Sequence, residues 1–599
     1  MASHDGAERR PGKRPAARGT AFYPRKRANA ACQVCRARKT KCDNGKPACS
    51  YCVSVGATCI QSPVDLSSFD PASLKILERL DDLERLMKSQ NGSASSPQSV
   101  HHEQTAQPSP ASNLSQEQDH VRLRSVLPET LDSLLTLSVF SPYAPDELPL
   151  HDFKANIYPH SATNTTLGRL LDMDSQTINK LLDNFIIYVH CKNPIFDEVS
   201  IRRRVTSVII EGLDWSPNSC LALIICALGR LSTPFGSSPE TQPDSAAYLE
   251  SQCFFQAAQR RIGSLLCQDD VLGAQCLFLS GVYLMCIYQP FHAWRFFSQA
   301  LAACQTLPFL KRAYNIRPVP APTPSLMHFD SDETQEQAIY WSSWKSEREV
   351  RQELTLPDFE VSHPTQSLYP PFFPTPPQLQ ESSNNTSDSE RRRTSWLFYL
   401  AEISLRRLSS RICHEILEFK SRSESDAAFL NDLVMQIPEY ERQVQQWSDN
   451  LPPELSPHAI PGEDGVCLFV IQGHLVNIYE ILYWPFVMLY FSTRQSGVIP
   501  ISLRARELAE KGLAIHVRRL HVNEPGFFYR HHGTWFMLRT CIRSCVILAE
   551  AAFLACEMPR GWQMAVEQTI RLVSFWEEEI PDLQGWRAIF RRILPELNG

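Results

Sequence analysis

At 599 residues the chain is too long for one ordinary hydrophobic core, so two to four structural units are expected. Its 43% hydrophobic and 21% charged residues suit a soluble globular protein, while 43 prolines imply long irregular connections between folded parts. The net charge of −6 hides an asymmetry: residues 1–46 hold 13 Lys/Arg against Asp5, Glu8 and Asp43, an excess of ten that leaves −16 for the remainder. That split argues against the body as a nucleic-acid binder and assigns such a role to the N-terminal arm.

In chain order, residues 1–27 read as a disordered basic tail. "MASHDGAERRPGKRPAARG" lacks the apolar run of a secretory signal. Greasy stretches such as "CLALIICALG" from Cys220 are too short to span a bilayer, so an intracellular chain with no membrane segment is expected. Arg9, Arg10, Lys13 and Arg14, followed by Arg25, Lys26 and Arg27, have the form of a two-part nuclear import signal; a purely phosphate-binding arm would have the same composition.

The next segment, 28–62, holds six of the chain's 19 cysteines within 28 positions: Cys32, Cys35, Cys42, Cys49, Cys52 and Cys59. In a reducing compartment such a cluster reads as a metal site, and the other thirteen, from Cys191 to Cys556 in apolar helical segments, read as packing residues. The spacing is C-x2-C-x6-C-x6-C-x2-C-x6-C, two near copies of one pattern. Four tetrahedral ligands serve one zinc ion, so six thiolates exceed the need of one ion and fall two short of two. Two sulfurs must therefore bridge, and the first cysteine of each half, Cys32 and Cys49, is the natural pair. One zinc then takes Cys32, Cys35, Cys42 and Cys49, and the other Cys49, Cys52, Cys59 and Cys32.

Between the second and third cysteines, "RARKTK" puts Arg36, Arg38, Lys39 and Lys41 into one and a half helical turns with no acid among them. A cluster of two zinc ions and six thiolates carries about −2, so these cations compensate it in part and leave an excess for phosphates.

The spacing, this basic run and the proline in "KPAC" resemble the fungal binuclear zinc-cluster transcription factors. The resemblance implies two short helices after the C-x2-C pairs, about Arg36 to Lys41 and Val53 to Ala57, joined by a loop with Pro47 at its turn. It also implies that the first helix enters the major groove of double-stranded DNA and reads a CGG-type triplet. Carried over by position, Lys39 with Arg38 reaches guanine edges, for which Arg and Lys are the usual partners, and Arg36 and Lys41 contact phosphates.

A polar linker leads to "DPASLKILERLDDLERLMKSQ", with Asp70 as helix cap and Pro71 at the first helical position. Ile76, Leu80, Leu83 and Met87 step by 4, 3 and 4, the seam of a short dimerising coiled coil over 70–89; an amphipathic helix docked on the body would give the same pattern. Residues 90–125 lack apolar content and read as a disordered linker.

From 126 to 599 the periodicity is helical, as in "SQTINKLLDNFIIYVHC", where Ile178, Leu181, Leu182, Phe185, Ile186 and Val189 share one face. The whole is expected to be all-α: a small zinc-stapled module, a short coiled-coil helix, and a large helical regulatory domain with disordered linkers. Residues 363–391 within that domain read as a disordered loop. "FIIYVHCKNPIFD", "YLESQCFFQAAQRRI", "YWSSWKSEREVRQELTLPDF" and "RHHGTWFMLRTCIRSCVILAEAAF" resemble the middle homology domain of the same family, which implies a regulatory role. "FWEEEIPDLQGW" from Phe575 mixes acids with bulky apolar residues, as an activation segment or the last helix of the body would.

No phosphate loop, GxSxG elbow or HExxH helix is present, so an enzyme is not expected. "CHEILE" at Cys413 lacks a second histidine, and His531 and His532 of "RHHGTW" cannot share one helical face, so a structural or polar-network role is expected for them. Trp294, Trp341 and Trp344 are expected in the core. The expectation is a nuclear, two-zinc, homodimeric regulator of RNA polymerase II genes, activating a metabolic or biosynthetic pathway. Its partners would be DNA, co-regulators or the transcription machinery and an unknown small-molecule effector. The alternative is a zinc-stapled protein-interaction scaffold without sequence-specific DNA binding.

Overall fold

The computed structural model describes residues 35, 40, 42–43, 48–57 and 59, and then 123–143, 174–266, 270–310, 331–357, 373–377, 386–456, 465–497 and 501–597. The chain divides into two compact units, residues 1–115 and 116–599. Every regular element among the described residues is helical. The import-signal residues Arg9 to Arg27, the seam residues Ile76, Leu80, Leu83 and Met87, Cys32, and the basic residues Arg36, Arg38, Lys39 and Lys41 lie outside the described residues.

The first unit contributes one short helix, α1 (Ser50–Ser54). It starts three residues before the expected Val53 to Ala57. The Cys49 sulfur accepts from the Cys52 N–H and the Cys49 carbonyl from the Val53 N–H, so the turn winds up at once after Cys49. Gly56, at φ +62°, ends it in the left-handed conformation that glycine tolerates.

In the second unit half of the described α-helices begin where a side chain offers an oxygen to the free N–H groups of a first turn. Asp174 caps α2 (Ser175–Asn184), Asp197 caps α3 (Glu198–Glu211), and Ser216 followed by Pro217 starts α4 (Pro217–Leu231). Ser245 and Asp270 open α5 (Ala246–Gln259) and α6 (Val271–Cys286). Then follow α7 (Pro290–Cys304), α8 (Ser331–Glu353), α9 (Thr386–Arg422) and α10 (Asp426–Asp449). The last five are α11 (Val466–Ser496), α12 (Leu503–Asn523), α13 (Thr534–Phe553), α14 (Trp562–Leu572) and α15 (Pro581–Leu597).

The buried face expected from Ile178 to Val189 is present, but it does not stay α-helical. After Asn184 the chain makes a π turn, Phe185–Val189, and then a 3-10 turn, His190–Lys192. α4 is buried nearly all round and packs on α2, α3, α5 and α6. A Cβ on Gly229 would stand 2.0 Å from the Leu181 carbonyl oxygen, so only glycine permits this approach of α4 to α2. The neighbours run α6 on α7, α7 on α8, α9 on α10 and α11, and α11 on α12, with α13 to α15 closing the C-terminal end.

α11 is 31 residues long and apolar enough to cross a membrane, which corrects the expectation that no stretch reaches that length. Its environment is that of a core helix. Glu480 in its middle is buried against Arg519 of α12 (2.5 Å) and Arg543 of α13 (2.9 Å).

α9 begins at Thr386, inside the stretch 363–391 expected as a loop. Arg391 forms a two-pronged pair with Glu198 (2.8 and 2.9 Å), which ties this polar turn to α3. At the C-terminus, Trp576 and Trp586 are fully buried, Glu579 pairs with Arg530 (2.5 Å) and Glu577 with Arg587 (2.6 Å). "FWEEEIPDLQGW" is therefore part of the body, with three of its four acids already engaged, since Asp582 also meets Arg539 (3.6 Å). Trp341 and Trp344 are core residues, and half-buried Trp294 donates its indole N–H to Glu347 (3.0 Å).

Candidate metal centre

Among its described residues the first unit has almost no apolar interior. Its core is Cys35, Cys49 and Cys52, with Cys42, Tyr51 and Cys59 packed against them, while Val53 and Val55 face solvent. About thirty residues with so little to bury do not fold without an added staple.

The sulfurs supply a place for it. Cys35, Cys42 and Cys49 form one group and Cys49, Cys52 and Cys59 another, with the sulfurs of each group within 4.8 Å of one another. Cys49 belongs to both. Tetrahedral thiolates at about 2.3 Å from zinc sit about 3.8 Å apart, and the Cys35 and Cys49 sulfurs are 3.6 Å apart. Among the described residues no other set of three His, Cys, Asp or Glu side chains converges in this way.

The repeat seen in the cysteine spacing recurs in the backbone. The Thr40 N–H donates to the Cys35 carbonyl and the Ala57 N–H to the Cys52 carbonyl, each five residues on and each at 3.0 Å. Two N–H groups also point at sulfur: Cys49 N–H to the Cys59 Sγ (3.3 Å) and Cys52 N–H to the Cys49 Sγ (3.5 Å). Such donors stabilise thiolate charge and orient the ligands.

Asp43, next to the third cysteine, accepts from the Ser50 N–H (3.0 Å) and from the Ser50 hydroxyl. It thereby joins the two halves and places a carboxylate at the N-terminus of α1. In the sequence Asp43 counts only as a charge. No capping pattern in the sequence reaches seven residues back, so this pairing is set by how the halves fold together.

Of the thirteen remaining cysteines, Cys267 lies outside the described residues; ten of the other twelve are buried, as expected of packing residues, and Cys253 and Cys413 are half-buried. Cys226 and Cys304, buried among hydrocarbons, have thiols pushed up to about 12, and Cys541 to about 11. His531 and His532 are held well below the usual imidazole range, first by burial and then by the charge of Lys192. The Nδ1 of His531 accepts from the Gly533 N–H (3.1 Å), which leaves its Nε2 as the N–H.

Residues 30–66 match the fungal Zn(2)-Cys(6) binuclear cluster domain and residues 182–449 the fungal specific transcription factor domain. Among curated proteins, the chain is 26% identical over 274 residues to "Putative transcription factor ecdB" of Aspergillus rugulosus, which is 45% of either chain. It is 47% identical over 60 residues to oleate activated transcription factor 3 of Kluyveromyces lactis, 10% of this chain and 9% of the other. It is 43% identical over 47 residues to transcription factor FBD3 of Fusarium pseudograminearum, 8% and 6% of the two chains. The chain thus spans less than half the length of the curated relatives it matches. The cluster domain is one that binds two zinc ions, and the shared position of Cys49 fits that number.

Proposed function

Because the chain belongs to the fungal binuclear zinc-cluster transcription factors, we propose that it is a nuclear, sequence-specific DNA-binding regulator of RNA polymerase II genes. In this reading Cys32 and Cys49 bridge two zinc ions, the other four cysteines complete the two tetrahedra, and Arg36 to Lys41 face CGG-type triplets in the major groove. The observation that carries it is the single sulfur, Cys49, common to two thiolate groups, the first of which brackets the basic run in sequence with Cys35 and Cys42. Zinc acts here as a structural tie, and the reading of DNA is left to the side chains. The helical body regulates this activity through co-regulators or an effector, and the target is a specific metabolic or biosynthetic pathway.

A gel shift of the full-length chain on CGG-containing DNA and on a scrambled control tests this. Equal affinity for the two would favour the scaffold alternative. Within the basic run, Lys39→Ala is expected to lower affinity for the preferred site by about 1 to 3 kcal/mol more than for random DNA. Arg36→Ala is expected to weaken both alike and to flatten the salt dependence. An unchanged preference after Lys39→Ala would remove Lys39 from the reading role.

A module reading about three base pairs has too few contacts to select a site in a genome, so two are joined as a homodimer through residues 70–89. At about twenty residues this helix is near the lower limit for stability alone, so pairing is weak and is aided by DNA. Leu80→Glu with Leu83→Glu is expected to abolish binding to a paired site while leaving zinc content and weak binding to a single triplet intact. Undiminished binding to the paired site would make this seam a docking face.

A further inference from the structure

The helical body holds a charge that its own described residues do not neutralise. Lys192 ends the 3-10 turn that follows the π turn of Phe185–Val189 and is 4% exposed. It has no hydrogen-bond, ion-pair or aromatic partner among the described residues. A buried ammonium without a counter-charge is costly, and π turns inside helices often mark functional positions.

Lys192 lines a partly open cavity of about 120 Å³ between α8, α9, α11, α12 and α13 with the turn that leads into it. The other ionic groups on its wall are paired. Lys345 meets Glu402 at 2.5 Å, Arg406 meets Glu402 at 2.9 Å and Glu349 at 3.2 Å, and Arg519 meets Glu480 at 2.5 Å. The lining therefore carries four cations against two carboxylates, Glu349 and Glu402. Two more groups there lack a partner, the Nε2 of His531 and the Oδ1 of Asn193. Phe398, Phe469, Phe536 and Met537 form its apolar side, next to polar groups such as Asn477, Asn523 and Thr540. One unmatched cation beside an aromatic wall suits a ligand with one negative charge and a flat hydrocarbon body.

We propose that this cavity binds a small apolar monocarboxylate whose carboxylate pairs with the Lys192 ammonium. The ligand supplies the counter-charge missing from the fold and buries its hydrocarbon part against the phenylalanines. The cavity draws together α8, α9, α11 and α12, so occupancy stabilises the arrangement of these helices and gives the body a state that depends on ligand. Binding is read without DNA, so its failure and that of the DNA-binding reading are separable.

The test is calorimetric titration of the full-length, zinc-loaded chain with phenylacetate, its neutral isostere phenylacetamide, and inorganic phosphate. Phenylacetate is expected to bind saturably, one per chain, and the amide about ten-fold or more weakly, the cost of losing a charge-assisted hydrogen bond. Phosphate, lacking an apolar body, is expected to bind less tightly than phenylacetate. Lys192→Met is expected to erase the preference of acid over amide. That variant is also expected to melt no lower than the parent without ligand, since it removes a buried charge that has no partner. Absence of saturable phenylacetate binding, equal affinity for acid and amide in the native chain, or a preference that survives Lys192→Met would each overturn the proposal.

Discussion

Replacing Cys49 by serine is expected to strip both zinc ions from the chain and abolish DNA binding. Cys49 is the one described sulfur that belongs to both thiolate groups, so its loss opens two tetrahedra at once. It also supplies the cap of α1, through the Cys52 N–H. The metal's contribution is large: structural zinc contributes about 10 to 16 kcal/mol of apparent binding energy in small modules. Nothing in a core made of Cys35, Cys49, Cys52 and their sulfur neighbours replaces it. Elemental analysis should fall from two zinc ions per chain to nearly none, and a gel shift should show no complex. A chelator should reproduce both losses, whereas Cys59→Ser, which touches one group, should spare part of the zinc. Two zinc ions retained after Cys49→Ser, or one zinc per chain in a fully active preparation, would overturn the bridging assignment.

Glu480→Leu is expected to destabilise the helical body by about 3 to 5 kcal/mol, because it leaves two buried arginines without their shared carboxylate. Glu480 is 3% exposed. It accepts from Arg519 (2.5 Å) and from Arg543 (2.9 and 3.1 Å). Arg519 also bonds Asn477 and Arg543 reaches toward Glu353, so one acid anchors α11 to α12, α13 and α8. Burial alone would raise the Glu480 carboxyl, but the two arginines override it and hold it at about 2.

The sign follows from that direction. The carboxyl is more acidic in the fold than in the unfolded chain, near 4.5, so its contribution is complete above about pH 5 and is lost as pH falls toward 2. Over that range the contribution is about 3 kcal/mol. Denaturant titration of the parent and of Glu480→Gln at pH 7 and pH 4 should show the gap between them narrowing at the lower pH. A gap that is constant with pH would mean that Glu480 is not the ionised partner of the arginines.

The zinc stoichiometry is legible in the cysteine spacing alone, because ligand chemistry is local. That spacing and the absence of histidine between Cys32 and Cys59 decide a six-thiolate, two-metal cluster without reference to the rest of the chain. Helix type is legible for the same reason: Ile178, Leu181 and Leu182 recur at a helical period, and Asp174 offers the cap one residue before the helix. The start of α1 differs from the expected one because a cysteine sulfur acts as its cap, a role that exists only once the cluster is assembled. Glu480 in a helix apolar enough for a membrane shows the other limit. Its two arginines lie 39 and 63 residues away, and no periodicity along α11 announces them. Lys192 is a further case: in "IIYVHCKNPIF" it reads as one charge in an apolar run. Its burial without a counter-charge emerges only when five helical segments close around it. Composition, cap and ligand spacing act over a few residues and are written in the chain; the pairing of buried charges and the shape of the cavity depend on which distant helices meet, and only the tertiary structure decided those.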